Sequence, residues 1–165
     1  MKMSWNDYIT NRLISSVDSN NHILENVVEE ACIINKSDGI EWASTPNFSI
    51  DKREVTIEEI GEIILDEFEN ISDAFANKGD CTKAGGIRLN NIKYLMINFD
   101  TDKNSMYLRR QKGGAVIAAT NLAYIIATYN AEKKMKKDGV EEYQNNGYCA
   151  KVVEELAEFF VGVNY

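Results

Sequence analysis

Four short apolar stretches follow one another between residues 92 and 129, at 92–99, 105–110, 115–119 and 123–129, and each is separated from the next by turn-forming residues. Asp100 to Asn104, Lys112-Gly113-Gly114 and Thr120-Asn121 are the turns. Connections this short cannot carry a crossover, so consecutive strands must pair antiparallel as a meander. Such a sheet needs a cover for its apolar faces, and the flanking sequence offers helices.

The clearest helix is the last. Cys149, Val152, Val153, Leu156 and Phe160 recur at helical spacing and form one apolar stripe. At the other end, Ser4-Trp5-Asn6-Asp7 has the form of a capping box and opens a helix over residues 5–16, with Ile9 and Leu13 four apart on one side. Residues 27–35 read as a strand, Asp38-Gly39 as a hairpin turn, and Ile40-Glu41-Trp42-Ala43 as the returning strand. From Thr56, the spacing of Ile57, Ile60, Ile64, Phe68 and Ile71 predicts a second helix. Residues 77–86 read as a loop, and 133–146 as a short exposed helix or a long loop. The expected architecture is α+β: an antiparallel sheet with the N- and C-terminal helices packed together on one face and a further helix on the other. Residues 1–165 are expected to form a single domain.

Composition narrows the function. A net charge of −8 argues against a general nucleic-acid binder, which needs cations to replace counterions along the phosphate backbone. The cations do cluster locally, at Lys103, Arg109, Arg110 and Lys112 and again at Lys133, Lys134, Lys136 and Lys137, so a basic face on an acidic protein is open. No apolar run is long enough to span a bilayer, and residues 1–11 lack the apolar core of a signal peptide. Cys32, Cys81 and Cys149 have no metal-like spacing, and Cys32 and Cys149 lie inside apolar patterns. Free thiols in a cytoplasmic protein are expected. The single histidine, His22, sits in a polar stretch and reads as a solvated loop residue. No phosphate loop, dinucleotide fingerprint or serine elbow is present, and the carboxylates at 58, 59, 62, 66, 67 and 69 read as the solvated face of the second helix. No catalytic residue, metal site or cofactor is expected; the chain reads as a binder rather than an enzyme.

Four stretches together resemble the profilin family: Ser4-Trp5-Asn6-Asp7-Tyr8-Ile9; Asp38-Gly39-Ile40-Glu41-Trp42-Ala43-Ser44; the run from Ile92-Lys93-Tyr94-Leu95-Met96-Ile97 through Lys112-Gly113-Gly114 to Ile125-Ile126-Ala127-Thr128-Tyr129; and the C-terminal stretch with Val152-Val153-Glu154-Glu155-Leu156. The resemblance implies a cytoplasmic, cytoskeleton-associated protein that binds monomeric actin and proline-rich proteins such as formins, and so regulates actin filament assembly. It assigns polyproline binding to Trp5, Tyr8, Trp42, Phe159 and Tyr165. Those residue types suit the task, because flat rings stack on proline while indole N–H and phenol O–H reach the free carbonyls. Trp5 and Tyr8 lie off the apolar stripe of their helix, whereas Trp42, on a strand, suits a core position equally well. The resemblance assigns actin binding to Lys93, Arg109, Lys112, Gly147, Lys151 and Glu155. Phosphoinositide binding, another family property, is disfavoured by the net charge and by the lack of a basic residue in Phe160-Val161-Gly162-Val163-Asn164.

Three segments exceed the family's usual length, at 18–30, 77–85 and 132–146, and the last would lie close to the actin-binding residues. A longin- or roadblock-like adaptor for trafficking or signalling, without actin binding, would have a similar order of strands and helices. It would bury or scatter the aromatic set.

Overall fold

The computed structural model describes residues 4–81 and 85–165. Its N-terminal helix begins as α1 (Trp5–Tyr8), and both halves of the capping box are made. The helix then widens into a π-helical turn, Ile9–Ile14, before strand β1 (Ser16–Val17). Strands β2 (Ile23–Glu25), β3 (Glu30–Asn35) and β4 (Glu41–Ser44) follow. Next come β5 (Lys52–Ile57), β6 (Gly61–Asp66) and helix α2 (Glu67–Ala76). The chain continues through β7 (Ile87–Leu89), β8 (Ile92–Asp100), β9 (Ser105–Arg110), β10 (Gly113–Ala119) and β11 (Ala123–Asn130). It ends with β12 (Lys134–Lys137), β13 (Val140–Tyr143) and helix α3 (Asn146–Gly162).

Seven strands form the main sheet in the order β4-β3-β11-β10-β9-β8-β7, all antiparallel. Strand alternation splits its side chains between two cores. Ala31, Ile33, Val116, Ala118, Ile125 and Ala127 meet Ile9 and Leu13 from the N-terminal helix and the α3 stripe of Cys149, Val152, Val153, Leu156 and Phe160. On the other face Ile34, Ala115, Ile117 and Ile126 meet Ile71 and Ala74 of α2. The terminal helices therefore share one face and α2 covers the other, as expected from the sequence.

Two secondary-structure expectations fail. The helix expected from Thr56 starts only at Glu67; residues 52–66 form the β5–β6 hairpin instead, with Val55 opposite Ile63 and Arg53 opposite Leu65. Ile57, Ile60 and Ile64 imitate helical spacing, but β-branched residues dominate Val55-Thr56-Ile57 and Ile63-Ile64, and the turn has Glu59 at φ 76° and Gly61 at φ 94°. The helix waits for Asp66, whose carboxylate accepts from the N–H groups of Phe68 and Glu69. Buried Glu67 holds the junction by accepting from the N–H groups of Asp51 and Asn91, so it is not part of a solvated face. The second failure is at 133–146, which is neither helix nor loop but the β12–β13 hairpin. Asp138 (φ 50°) and Gly139 (φ 81°) make its two-residue turn, a signal the sequence displays.

The segments at 18–30 and 132–146 build one feature together. Leu24 pairs with Lys137 and Glu25 with Lys136, closing a second sheet of order β1-β2-β12-β13. His22 belongs to this seam rather than to free solvent: its Nδ1 lies 2.7 Å from Asp138 Oδ2. Residues 82–84, within the third long segment, lie outside the described residues. The Gly113-Gly114 pair is also corrected. The β9–β10 turn is Gln111-Lys112, with Lys112 at φ 58°, and both glycines are paired strand residues. A Cβ on Gly114 would overlap the Leu108 carbonyl oxygen and the Tyr129 hydroxyl, so close approach, not turn geometry, requires glycine there. Cys32 and Cys149 are buried free thiols; burial drives both of their pKa values well up. Among the described residues, no helix is long and apolar enough to cross a membrane.

Candidate functional site

The five aromatic residues singled out in the sequence converge on one surface. Trp5 packs against Trp42 with ring centroids 4.6 Å apart, against Tyr8 at 5.7 Å and against Tyr165 at 5.4 Å. Tyr8 in turn meets Phe159 at 6.0 Å. Trp5, Tyr8 and Trp42 are partly exposed, and Phe159 and Tyr165 are 38% and 39% exposed, so the rings line a surface track and not a sealed core. Its floor is Phe160, buried beneath Trp5 and Tyr8, which stand edge-on to it at 5.7 and 5.2 Å. The alternative core position for Trp42 is therefore not adopted. Three elements position the track: the capped start of α1, strand β4, and the end of α3, whose terminal turn brings Tyr165 back over Phe160. Tyr165 is fixed by its carbonyl oxygen, which accepts from the Leu122 N–H and the Thr120 hydroxyl.

One further group belongs to this surface. Arg12, on the π-helical turn, lays its guanidinium over the Phe159 ring, 4.7 Å from the centroid. The π turn is not readable from local sequence, and neither is this placement.

The cationic candidates are spread over the sheet face that carries the terminal helices, beyond the edge of α3. Lys93 and Leu95 alternate onto this face from β8, since Tyr94 between them is buried in the opposite core. Leu95 stands opposite Arg109 of β9, and a bulge at Ile97 shifts the register between Met96 and Asn98. Leu95 and Ile97 are 59% and 57% exposed. Arg109, Lys112, Ile97 and Tyr107 line one shallow depression, and Gly147, Lys151, Lys103 and Glu154 line a second that shares Ile97, Tyr107 and Asn146 with it. Gly147 sits in the first turn of α3, where a Cβ would crowd the Asn145 Oδ1 that caps the helix, at 3.2 Å.

The cations differ in how free they are. Among the described residues Lys93 and Arg109 have no ion pair, while Lys112 bonds Glu132 at 2.8 Å. Lys151 lies 3.3 Å from Asp18, whose side chain is almost fully buried, and Glu155 accepts from the Ser19 N–H. The long 18–30 segment thus holds the two α3 candidates. Burial on its own would raise the Asp18 pKa, but the N–H groups of His22 and Asn20, with Lys151, bring it below its ordinary value. Glu154 accepts from the Tyr107 hydroxyl and from Lys103 at 3.2 Å; burial first, then this carboxylate, pushes the Tyr107 phenol well up. Leu95, Ile97 and Tyr107 were not separable in the sequence from ordinary strand residues, and Lys103, in the β8–β9 turn, stood out only as one of a basic cluster. The exposed apolar positions of β8 become visible only once Tyr94 and Met106 fix which face is inside.

The helix–sheet–helix sandwich thus carries a solvent-facing aromatic track on one side and a strand face with exposed apolar residues and nearby cations on another. The sequence profile of the family described as Profilin matches residues 3–165. A profilin of Tetrahymena pyriformis is 38% identical over 132 residues, covering 79% of this chain and 84% of that one. Among solved structures, Schizosaccharomyces pombe profilin superposes with a TM-score of 0.68 at 22% identity, over 98% of this chain and 100% of that one. Two complexes share the fold over 84% of this chain: LokiProfilin2 with rabbit actin (TM-score 0.55, 16% identity, 88% of that chain) and mouse profilin IIa with a double repeat from the FH1 domain of mDia1 (0.53, 14%, 90%). The chain belongs to the profilin family, whose members are non-enzymatic actin-binding proteins. The longin or roadblock alternative is set aside by the family match.

Proposed function

We propose that this chain binds monomeric actin and proline-rich segments at the same time, through separate faces, and so couples actin monomers to proline-rich proteins in the cytoplasm. The observation that carries the reading is the convergence of Trp5, Tyr8, Trp42, Phe159 and Tyr165 on one exposed surface from three distant parts of the chain. Exposed aromatic clusters of this size are costly to leave in water and suit a ligand with flat apolar plates and free carbonyls, which a polyproline II helix is. Mouse profilin IIa in complex with the FH1 double repeat of mDia1 offers the parallel for a peptide ligand.

For actin, the apolar centre is Leu95 and Ile97, with Arg109, Lys112 and Gly147 around Ile97 and Lys93 two residues before Leu95 on β8. Partner desolvation favours the free cations, so Lys93 and Arg109 carry more of the contact than Lys112. Lys151 and Glu155 act through the Asp18–Ser19 loop that they hold, which places this loop at the rim of the actin face. The LokiProfilin2–actin complex offers the parallel for this partner. The reading is tested by tryptophan fluorescence during titration with an octaproline peptide, together with polymerisation of labelled actin in the presence of the protein. A saturable fluorescence change that Trp5→Ala removes, and slowed spontaneous actin assembly that Trp5→Ala retains, is expected. Absence of both effects in the wild type would overturn it.

A further inference from the structure

The aromatic track has one charged end. Successive centroid spacings of 4.6, 5.7 and 6.0 Å lead from Trp42 through Trp5 and Tyr8 to Phe159. Beyond Phe159 the track is closed by Arg12, stacked on the ring at 4.7 Å. Arg12 is half-buried, and among the described residues it has neither an ion pair nor a hydrogen-bond acceptor. Stacking uses only the face of a guanidinium; its N–H donors radiate from the edge and are left unspent. A cation held on an aromatic rail with its donors free is set for an incoming oxygen acceptor, and the bidentate fork favours a carboxylate over a lone carbonyl.

A polyproline II helix has three residues per turn and presents similar ridges whichever way it is read, so rings alone discriminate weakly between the two directions. Charge at one end of the track removes that ambiguity. The ring spacings span at most about five residues at ~3.1 Å each, so a side chain just beyond a proline run of this length lies within reach of Arg12.

We propose that Arg12 is a specificity-determining residue of the groove: it selects proline-rich segments with an acidic residue at the end lying over Phe159, and fixes the direction in which the segment binds. This rests on the reading that the groove takes proline-rich ligands. Arg12 would act by direct contact with the ligand carboxylate, with Phe159 holding the guanidinium in place.

The test uses the whole chain and three peptides: octaproline alone, octaproline with two glutamates at its N-terminal end, and octaproline with two glutamates at its C-terminal end. Affinities are measured for wild type, Arg12→Gln and Arg12→Lys at low and high salt, with thermal melts to check folding. One of the two charged peptides is expected to bind about fivefold tighter than octaproline, and the other no tighter. In Arg12→Gln that preference disappears while octaproline binding stays within about twofold; Arg12→Lys keeps part of it, because the charge remains without the planar fork. Equal binding of both charged peptides to wild type, or a preference that survives Arg12→Gln, would overturn the role of Arg12 while leaving the groove intact. No binding of octaproline to wild type would overturn the groove reading, and this inference with it.

Discussion

The aromatic groove and the strand face are built by opposite means. The groove is made of side chains that touch one another: each ring is held by its neighbours over Phe160, and its geometry exists before any ligand arrives. The strand face consists of side chains held apart by β8 and β9, with an apolar centre at Leu95 and Ile97 and cations that are either free or already paired within the chain. A preformed groove concentrates its binding in a few rings. A spread face divides its binding between apolar contact and charge, and so depends on salt.

The sharpest way to break the comparison is to remove one ring. Trp5→Ala is expected to weaken octaproline binding by roughly thirtyfold or more, about 2 kcal/mol, and to change actin affinity by less than about twofold. Calorimetric titration of each ligand checks both halves. Arg109→Glu should do the reverse: actin binding falls about tenfold, more at low salt, and octaproline binding is unaffected. Lys112→Glu, measured in the same way, should have a smaller effect, because Glu132 already engages that ammonium. Equal effects at 109 and 112 would show that prior pairing does not govern the strand face.

The Asp18 clamp gives two smaller effects. Lys151→Met should cost about 1 kcal/mol of stability in denaturant unfolding, since the well-buried Asp18 carboxylate loses its partner while the exposed part of Lys151 limits the loss. The pH dependence has a definite sign. The folded-state pKa of Asp18 lies below its ordinary value of 3.8, so its contribution to stability is fully present above that value and is lost as pH falls through the lower folded one. Acid unfolding of Asp18→Asn should therefore show a weaker loss below about pH 4 than wild type.

The parts of the molecule legible in the sequence are those where one local signal decides. The α3 stripe, the capping box at Ser4 and Asp7, and the strands from 92 to 129 all carry their period and their punctuation in neighbouring residues. The β5–β6 hairpin was misread because Ile57, Ile60 and Ile64 satisfy helical spacing, which masked the β-branched runs and the Gly61 turn; the tertiary roles of Val55, Leu65 and Glu67 decide for strands. The second sheet was hidden for another reason: β2 and β12 pair across more than a hundred residues, and the Asp138-Gly139 signal sat within a charged stretch. In the groove, the family resemblance nominated Trp5, Tyr8, Trp42, Phe159 and Tyr165, whose residue types suit the task, but Arg12 depends on a π turn that no local rule announces. On the strand face the cations could be named, whereas their freedom or engagement required the structure.

The most direct test of two independent faces is calorimetric titration of monomeric actin into the protein, alone and presaturated with octaproline. The account predicts the same actin affinity, within about twofold, in both titrations. Competition between octaproline and actin would contradict it, because the two ligands would then share a surface that the geometry keeps apart.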